Sequence, residues 1–291
     1  MRTRSALGVA ICGLVLQIAS ARAAPPARIV STSPSITETL FALGLGDRVV
    51  GVSAFCRFPP QVLKLPKVGT FLEPDAELIA GLQPDLVVVH ELSTGIDRKL
   101  RSLRIPFVVV DRGTLASVFS SIRQIAARAG VAGRGDLLVA DIERRLQTVR
   151  GAGASAPRPR VLFIIGRNPG MLTDLVAVGP GSYINDLIEI AGGKNVLAIN
   201  GQPEYPRISM ETVLRLDPDV IVDTVDMGET EAERRLRQPI NERLWSAYGT
   251  LAAVRTRRLY SATTDALVVP GPRVVEAAQW VAALLRERSD R

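Results

Sequence analysis

A reactive site needs groups that attack, move protons or hold a metal, and this sequence is sparing with them. His90 is its only histidine. A Ser-His-Asp triad would have to use it, yet the chain has no G-x-S-x-G turn and no phosphate-loop lysine motif. One imidazole cannot build a histidine-rich zinc or manganese centre, so no metal site is expected. His90 closes the run DLVVVH, where a strand of a parallel sheet would present it at the ligand rim as a polar lining group. The letters GAGASA (151–156) resemble a dinucleotide fingerprint but follow a helical pattern instead of a strand. GPGSYIND (179–186) is better placed, after the apolar LVAV and before a helix. Its amides could receive an anion, or it could be a tight turn that packs closely. Cys56, between Phe55 and Phe58, reads most simply as a small packing residue.

Aromatic residues are few but concentrated. Phe55, Phe58 and Phe71 fall within the proline-rich, loop-like SAFCRFPPQVLKLPKVGTFLEPD (53–75), and Tyr205 stands in GQPEYPRIS at the corresponding place of the second half. Aromatics on rim loops predict an apolar cleft between two lobes. Packing beneath the loops is the other reading, above all for Phe58.

The elements that must position these residues are written twice. ELIAGLQPDLVVV (77–89) and ETVLRLDPDVIVD (211–223) agree in spacing from glutamate to Pro-Asp, and each reads as a short helix stopped by proline before a buried strand. RIVS (28–31) and RVLFIIG (160–166) are the strands that open the two halves. In the first half Ser35-x-x-Glu38 forms a capping box for a helix that ends at Gly44 and Gly46, before the strand RVVGVS. In the second, a glycine-stopped helix precedes NVLAIN. Between the halves, Leu137, Leu138, Ile142 and Leu146 fall on one face of a long helix. The expected fold is α/β, with two similar lobes of mainly parallel sheet bridged by one long helix. The expected boundaries are 24–132, a bridge over 133–152, and 153–291.

MRTR followed by ALGVAICGLVLQIASA predicts a cleavable signal peptide ending at Ala23, because the apolar stretch is too short to span a bilayer comfortably. Cys12 lacks the small preceding residue of a lipidation site. The leader holds three arginines and no acid, so its loss takes the formal charge from +7 to +4. The arginine clusters 234/235/237 and 255/257/258 are not interleaved with aromatics, which argues against nucleic acid as a partner. Cys56 alone remains after processing, so no internal disulfide is expected.

RIVSTSPSITETLFALGLGDRVVGVS, FCRFPP, KVGTFLEPDAELIAGLQPDLVVV and GPGSYINDLIEIAGGKNV together resemble the periplasmic binding proteins of ABC importers for cobalamin, haem and ferric siderophores, over almost the whole mature chain. FPP followed by VGTF is most similar to the cobalamin-binding branch. The resemblance implies a monomeric carrier, not an enzyme, that needs no cofactor. It would hand a large metal-containing ligand to an inner-membrane permease and its ATPase. Phe55, Phe71 and Tyr205 match aromatic ligand contacts, and Asp265 matches a polar contact from the second lobe. Glu77 and Glu211 match the paired glutamates that dock on permease arginines. Three cleft tryptophans of the pattern are Phe71, Tyr205 and His90 here, and an arginine expected after Asp265 falls near Val268 and Val269. An iron-chelate ligand would call for basic groups such as Arg57, Arg167 or Arg207. An exported α/β hydrolase using His90 is the alternative from another class.

Overall fold

The structure, a computed structural model, describes residues 24–286 except 94, 112, 154–157, 200, 225–230 and 263. The expected signal peptide lies outside the described residues, as do the side chains of Arg234, Arg235 and Arg237. Among the described residues no helix is long and apolar enough to cross a membrane.

The first lobe alternates strand and helix. β1 (Ile29–Ser31), α1 (Pro34–Ala42), β2 (Val49–Val52), α2 (Ala76–Gly81), β3 (Leu86–His90), α3 (Ile96–Ser102) and β4 (Phe107–Val110) follow one another, and then α4 (Leu115–Arg128). The strands pair in parallel in the order β2-β1-β3-β4. Every residue of β3 is buried, as a strand covered on both faces requires. Val88 points to a core built with α1 and α4, whereas Val87 and Val89 point to one built with α2 and α3.

α5 (Ala132–Gly153) then carries the chain to the second lobe. Its buried stripe is Val139, Ile142, Leu146 and Val149. Leu137, expected on that face, is 74% exposed, and Val139 takes its place. The residues two apart point to opposite sides of a helix of 3.6 residues per turn, and the core selects Val139. The bridge is also more than one helix. α4 gives Val118, Phe119 and Ile122 to the core of the second lobe, and Ile125 and Ala126, with the C-cap Ala129, to that of the first. Its apolar residues run unbroken along one face at helical spacing.

In the second lobe β5 (Arg160–Gly166), β6 (Leu175–Ala177), α6 (Tyr183–Ile190), β7 (Lys194–Asn195), β8 (Arg207–Ile208), α7 (Met210–Leu216) and β9 (Val220–Asp223) are followed by α8 (Glu231–Ser246), α9 (Ala252–Arg255), β10 (Leu259–Ser261) and α10 (Val274–Arg286). The sheet order is β10-β9-β5-β6-β8, with β7 on β5. β10, β9 and β7 run parallel to their partners, whereas β6 pairs antiparallel with both β5 and β8. Among the described residues of NVLAIN only Asn195 lies in a strand, the two-residue β7, because β6 occupies that side of β5 further along.

The duplicated segment is explained by its hydrogen bonds. Asp85 accepts from the backbone N–H of Arg28 at 2.8 Å, and Asp219 from that of Arg160 at 2.7 Å. The Arg28 guanidinium donates to the carbonyls of Leu82 and Gln83 at the end of α2, and that of Arg160 to those of Leu216 and Asp217 at the end of α7. Each Pro-Asp joint therefore locks a helix end to the first strand of its lobe, satisfying carbonyls the helix leaves open.

The helix starts are matched too. Asp75 accepts from Glu77 N and Leu78 N, and Ser209 accepts from Thr212 N. Asp75→Ala should lower stability by about 1 kcal/mol, the usual value of an N-cap, read as a fall in the urea midpoint at unchanged slope.

Candidate functional site

The carboxyl ends of the parallel strands form the rim where such folds take ligands. β3 ends there at His90. Its backbone N–H donates to Thr32 Oγ1 at 3.2 Å, and its Nδ1 accepts from the backbone N–H of Leu92 at 3.2 Å. A backbone N–H can only donate, so Nδ1 supplies the lone pair and the neutral ring carries its proton on Nε2. A triad histidine would do the reverse, donating Nδ1–H to a carboxylate.

Phe71 stands edge-on to His90, centroids 6.2 Å apart, and edge-on to Phe55 at 5.9 Å. Its carbonyl accepts from Ser93 Oγ at 2.6 Å, which ties the aromatic loop to the segment after β3. Phe55 follows β2, with 50% of its surface exposed. The three rings thus form one aromatic cluster at the strand ends of the first lobe. Cys56 turns inward from the same loop, 1% exposed, with Sγ 3.1 Å from Thr37 Oγ1. Burial pushes its thiol pKa up, so it is an unreactive packing group as expected.

The second lobe places its expected residues differently from one another. Tyr205 is half-buried against the core of that lobe. Its loop lies on Gly179, where Gly179 N donates to Glu204 O at 2.8 Å and an added Cβ would come within 2.2 Å of Pro203 O. The Tyr183 amide donates to Gly113 O, and Ser182 Oγ accepts from Asn185 N. The Gly179 and Tyr183 amides of GPGSYIND are thus engaged by protein in close packing.

Asp265 is partly open, its side chain 42% exposed, and accepts from Arg273 Nη1 at 2.9 Å. Arg167 corrects an expectation. Its side chain is fully buried inside the lobe, donating from Nε to Asp223 Oδ2 at 3.0 Å and from Nη2 to Asn241 Oδ1 at 2.6 Å. Asp223 also accepts from Trp245 Nε1 at 2.9 Å. A buried guanidinium keeps its charge only when so paired, so Arg167 is held inside the lobe and does not line the rim. Arg207 is exposed beside Asp174.

Glu38 corrects another. The side chain of Ser33, the N-cap of α1, caps nothing, and no Ser35–Glu38 box forms. Glu38 instead pairs with Arg273 of the second lobe. Burial pushes the Glu38 pKa up despite the opposing effect of that arginine.

Glu77 and Glu211 are both exposed, in the first turns of α2 and α7. Among the described residues neither carboxylate has an ion-pair partner, and no group of three or more His, Cys, Asp or Glu could hold a metal.

Two lobes on a helical bridge, with the rims of their sheets carrying the aromatic and acidic side chains, match a known design. A family model described as periplasmic binding protein fits residues 29–266. The chain belongs to the periplasmic binding protein family. It is 29% identical over 265 residues to the vitamin B12-binding protein of Vibrio cholerae, covering 90% of each chain. Among solved structures, the vitamin B12-binding protein of Vibrio cholerae superposes with a TM-score of 0.74 at 27% identity, covering 90% of this chain and 97% of the other. A periplasmic haem-binding protein from Roseiflexus gives 0.75 at 27% identity, covering 90% and 99%. The solute-binding character is common to these relatives, and the solute differs among them.

Proposed function

We propose that this protein is the substrate-capturing component of an ABC importer. It works in the periplasm after loss of its leader, closes on cobalamin or a related corrinoid between its lobes, and delivers it to an inner-membrane permease with its ATPase. The observation that carries the ligand class is the Phe55–Phe71–His90 cluster. Such rings cover a large apolar face without supplying charge.

Its chemistry also bears on the alternatives. A ferric siderophore, usually anionic, calls for several basic groups: Arg167 is paired inside the lobe with Asp223, whereas Arg57 and Arg207 are exposed. A haem iron takes a protein axial ligand, whereas His90 is buried and its Nδ1 already accepts from Leu92 N. The hydrolase reading has no support at Nδ1, which accepts from Leu92 where a triad histidine would donate.

A thermal-shift screen of cobalamin, cobinamide, haemin and ferric siderophores tests this, since a ligand that binds only the folded state must raise Tm. The largest shift is expected with cobalamin or cobinamide. A shift with haemin alone would move the assignment to haem, and no shift with any of the four would remove it. His90→Ala should leave the absorption spectrum of the bound corrinoid unshifted. A displaced band would mean that the imidazole is an axial ligand.

A further inference from the structure

Arg273 precedes α10 of the second lobe, yet its guanidinium reaches the first. Nε donates to Glu38 Oε2 at 2.9 Å, Nη2 donates to Glu38 Oε1, and Nη1 donates to Asp265 Oδ1 at 2.9 Å. The guanidinium carbon stands 4.4 Å from the centroid of the Phe58 ring. Glu38 lies on α1 and Phe58 in the loop after β2, so one arginine joins two groups of the first lobe to a rim carboxylate of its own. The Glu38 and Arg273 side chains are 3% and 11% exposed. Water screens such a pair little.

A buried fork of this kind adds little net stability, but its geometry is strict. Two parallel N–H···O bonds form at only one spacing and one orientation of the lobes. Other ties cross the boundary: Leu115 N donates to Asp186 Oδ2 at 2.9 Å, and Tyr183 N donates to Gly113 O at 2.9 Å. Both join α4, or the turn just before it, to α6, each through a backbone N–H donor. The arginine contact differs in carrying charge on both sides and in ending on Asp265.

We propose that Arg273 is a positioning residue for ligand capture: by gripping Glu38 across the lobe boundary it sets the angle between the lobes and holds Asp265 and Phe58 at the spacing the ligand meets. The consequence for the ligand rests on the corrinoid reading above, whereas the consequence for the lobe angle does not.

The test is an inter-lobe distance measured by pulsed electron spin resonance. Spin labels go on Leu103→Cys and Leu214→Cys, both exposed and one on each lobe, while Cys56 is buried. The distance is compared in this background, in Glu38→Gln and in Arg273→Lys. Both variants are expected to melt cooperatively and to show a broadened, displaced distance. If the competent arrangement falls to about a tenth of the molecules, the Kd for cyanocobalamin rises about tenfold. A merely structural pair would lower Tm and leave the distance where it was, and an unchanged distribution in both variants overturns the proposal. Should Arg273→Lys fold poorly, Glu38→Gln, a neutral change of nearly the same shape, decides alone. A displaced distance in a protein that binds no cobalamin supports the positioning role and rejects the corrinoid reading.

Discussion

Replacing Glu77 and Glu211 together by alanine is expected to leave ligand affinity unchanged and to stop delivery. The competing explanation is that these glutamates serve their own helices, since an acid in a first turn is favoured by the dipole by about 0.3–1 kcal/mol. The capping work is already done by other residues: Asp75 accepts the first amides of α2, and Ser209 accepts that of Thr212 in α7. The two glutamates are left exposed and without ion-pair partners among the described residues. One solvated carboxylate per lobe, at the same place on matched helices, suits a two-fold basic partner, where complementary charge sets register and on-rate. Uptake into vesicles holding the permease should fall to background in the double variant. The salt sensitivity of complex formation should fall with it. Wild-type uptake would return both residues to the role of first-turn charges.

Phe71→Ala is expected to weaken cobalamin binding by about 2 kcal/mol or more, roughly thirtyfold. Phe71 is the middle ring of the cluster, in edge contact with both Phe55 and His90. Its removal takes away one ligand face and also the support of its neighbours. The fold should survive, because Phe71 lies on a loop outside the core clusters and its carbonyl keeps the bond from Ser93. Tyr205→Ala tests the second lobe in the same way, although its half-burial against the core adds a stability cost. Unchanged affinity in both variants would remove the aromatic rims from the binding site.

The lobes were legible because their signals are local. Strand runs such as DLVVVH and RVLFIIG are buried on both faces and read as unbroken apolar stretches. The Pro-Asp joints repeat because each must lock a helix end to an arginine at the start of a strand. What escaped the sequence depends on partners far along the chain. Glu38 sits at a spacing from Ser35 that fits a capping box, and nothing nearby reveals that Arg273, 235 residues away, will claim it. Arg167 directly follows a strand at the rim, where a ligand contact is a fair expectation. Its pairing with Asp223 and Asn241 turns it inward instead. Leu137 and Val139 compete for one helical stripe, and only the packing against the second lobe decides between them. The antiparallel pairing of β6 and β8 escaped for a related reason, since strands of two or three residues have too little sequence to show a period.

The most direct test of corrinoid capture is calorimetric titration of the unmodified protein with cyanocobalamin, beside haemin and a ferric siderophore. Saturation at one cyanocobalamin per chain is predicted, tighter than either competitor and weakened in Phe71→Ala. Saturation with haemin while cyanocobalamin gives no binding would contradict it.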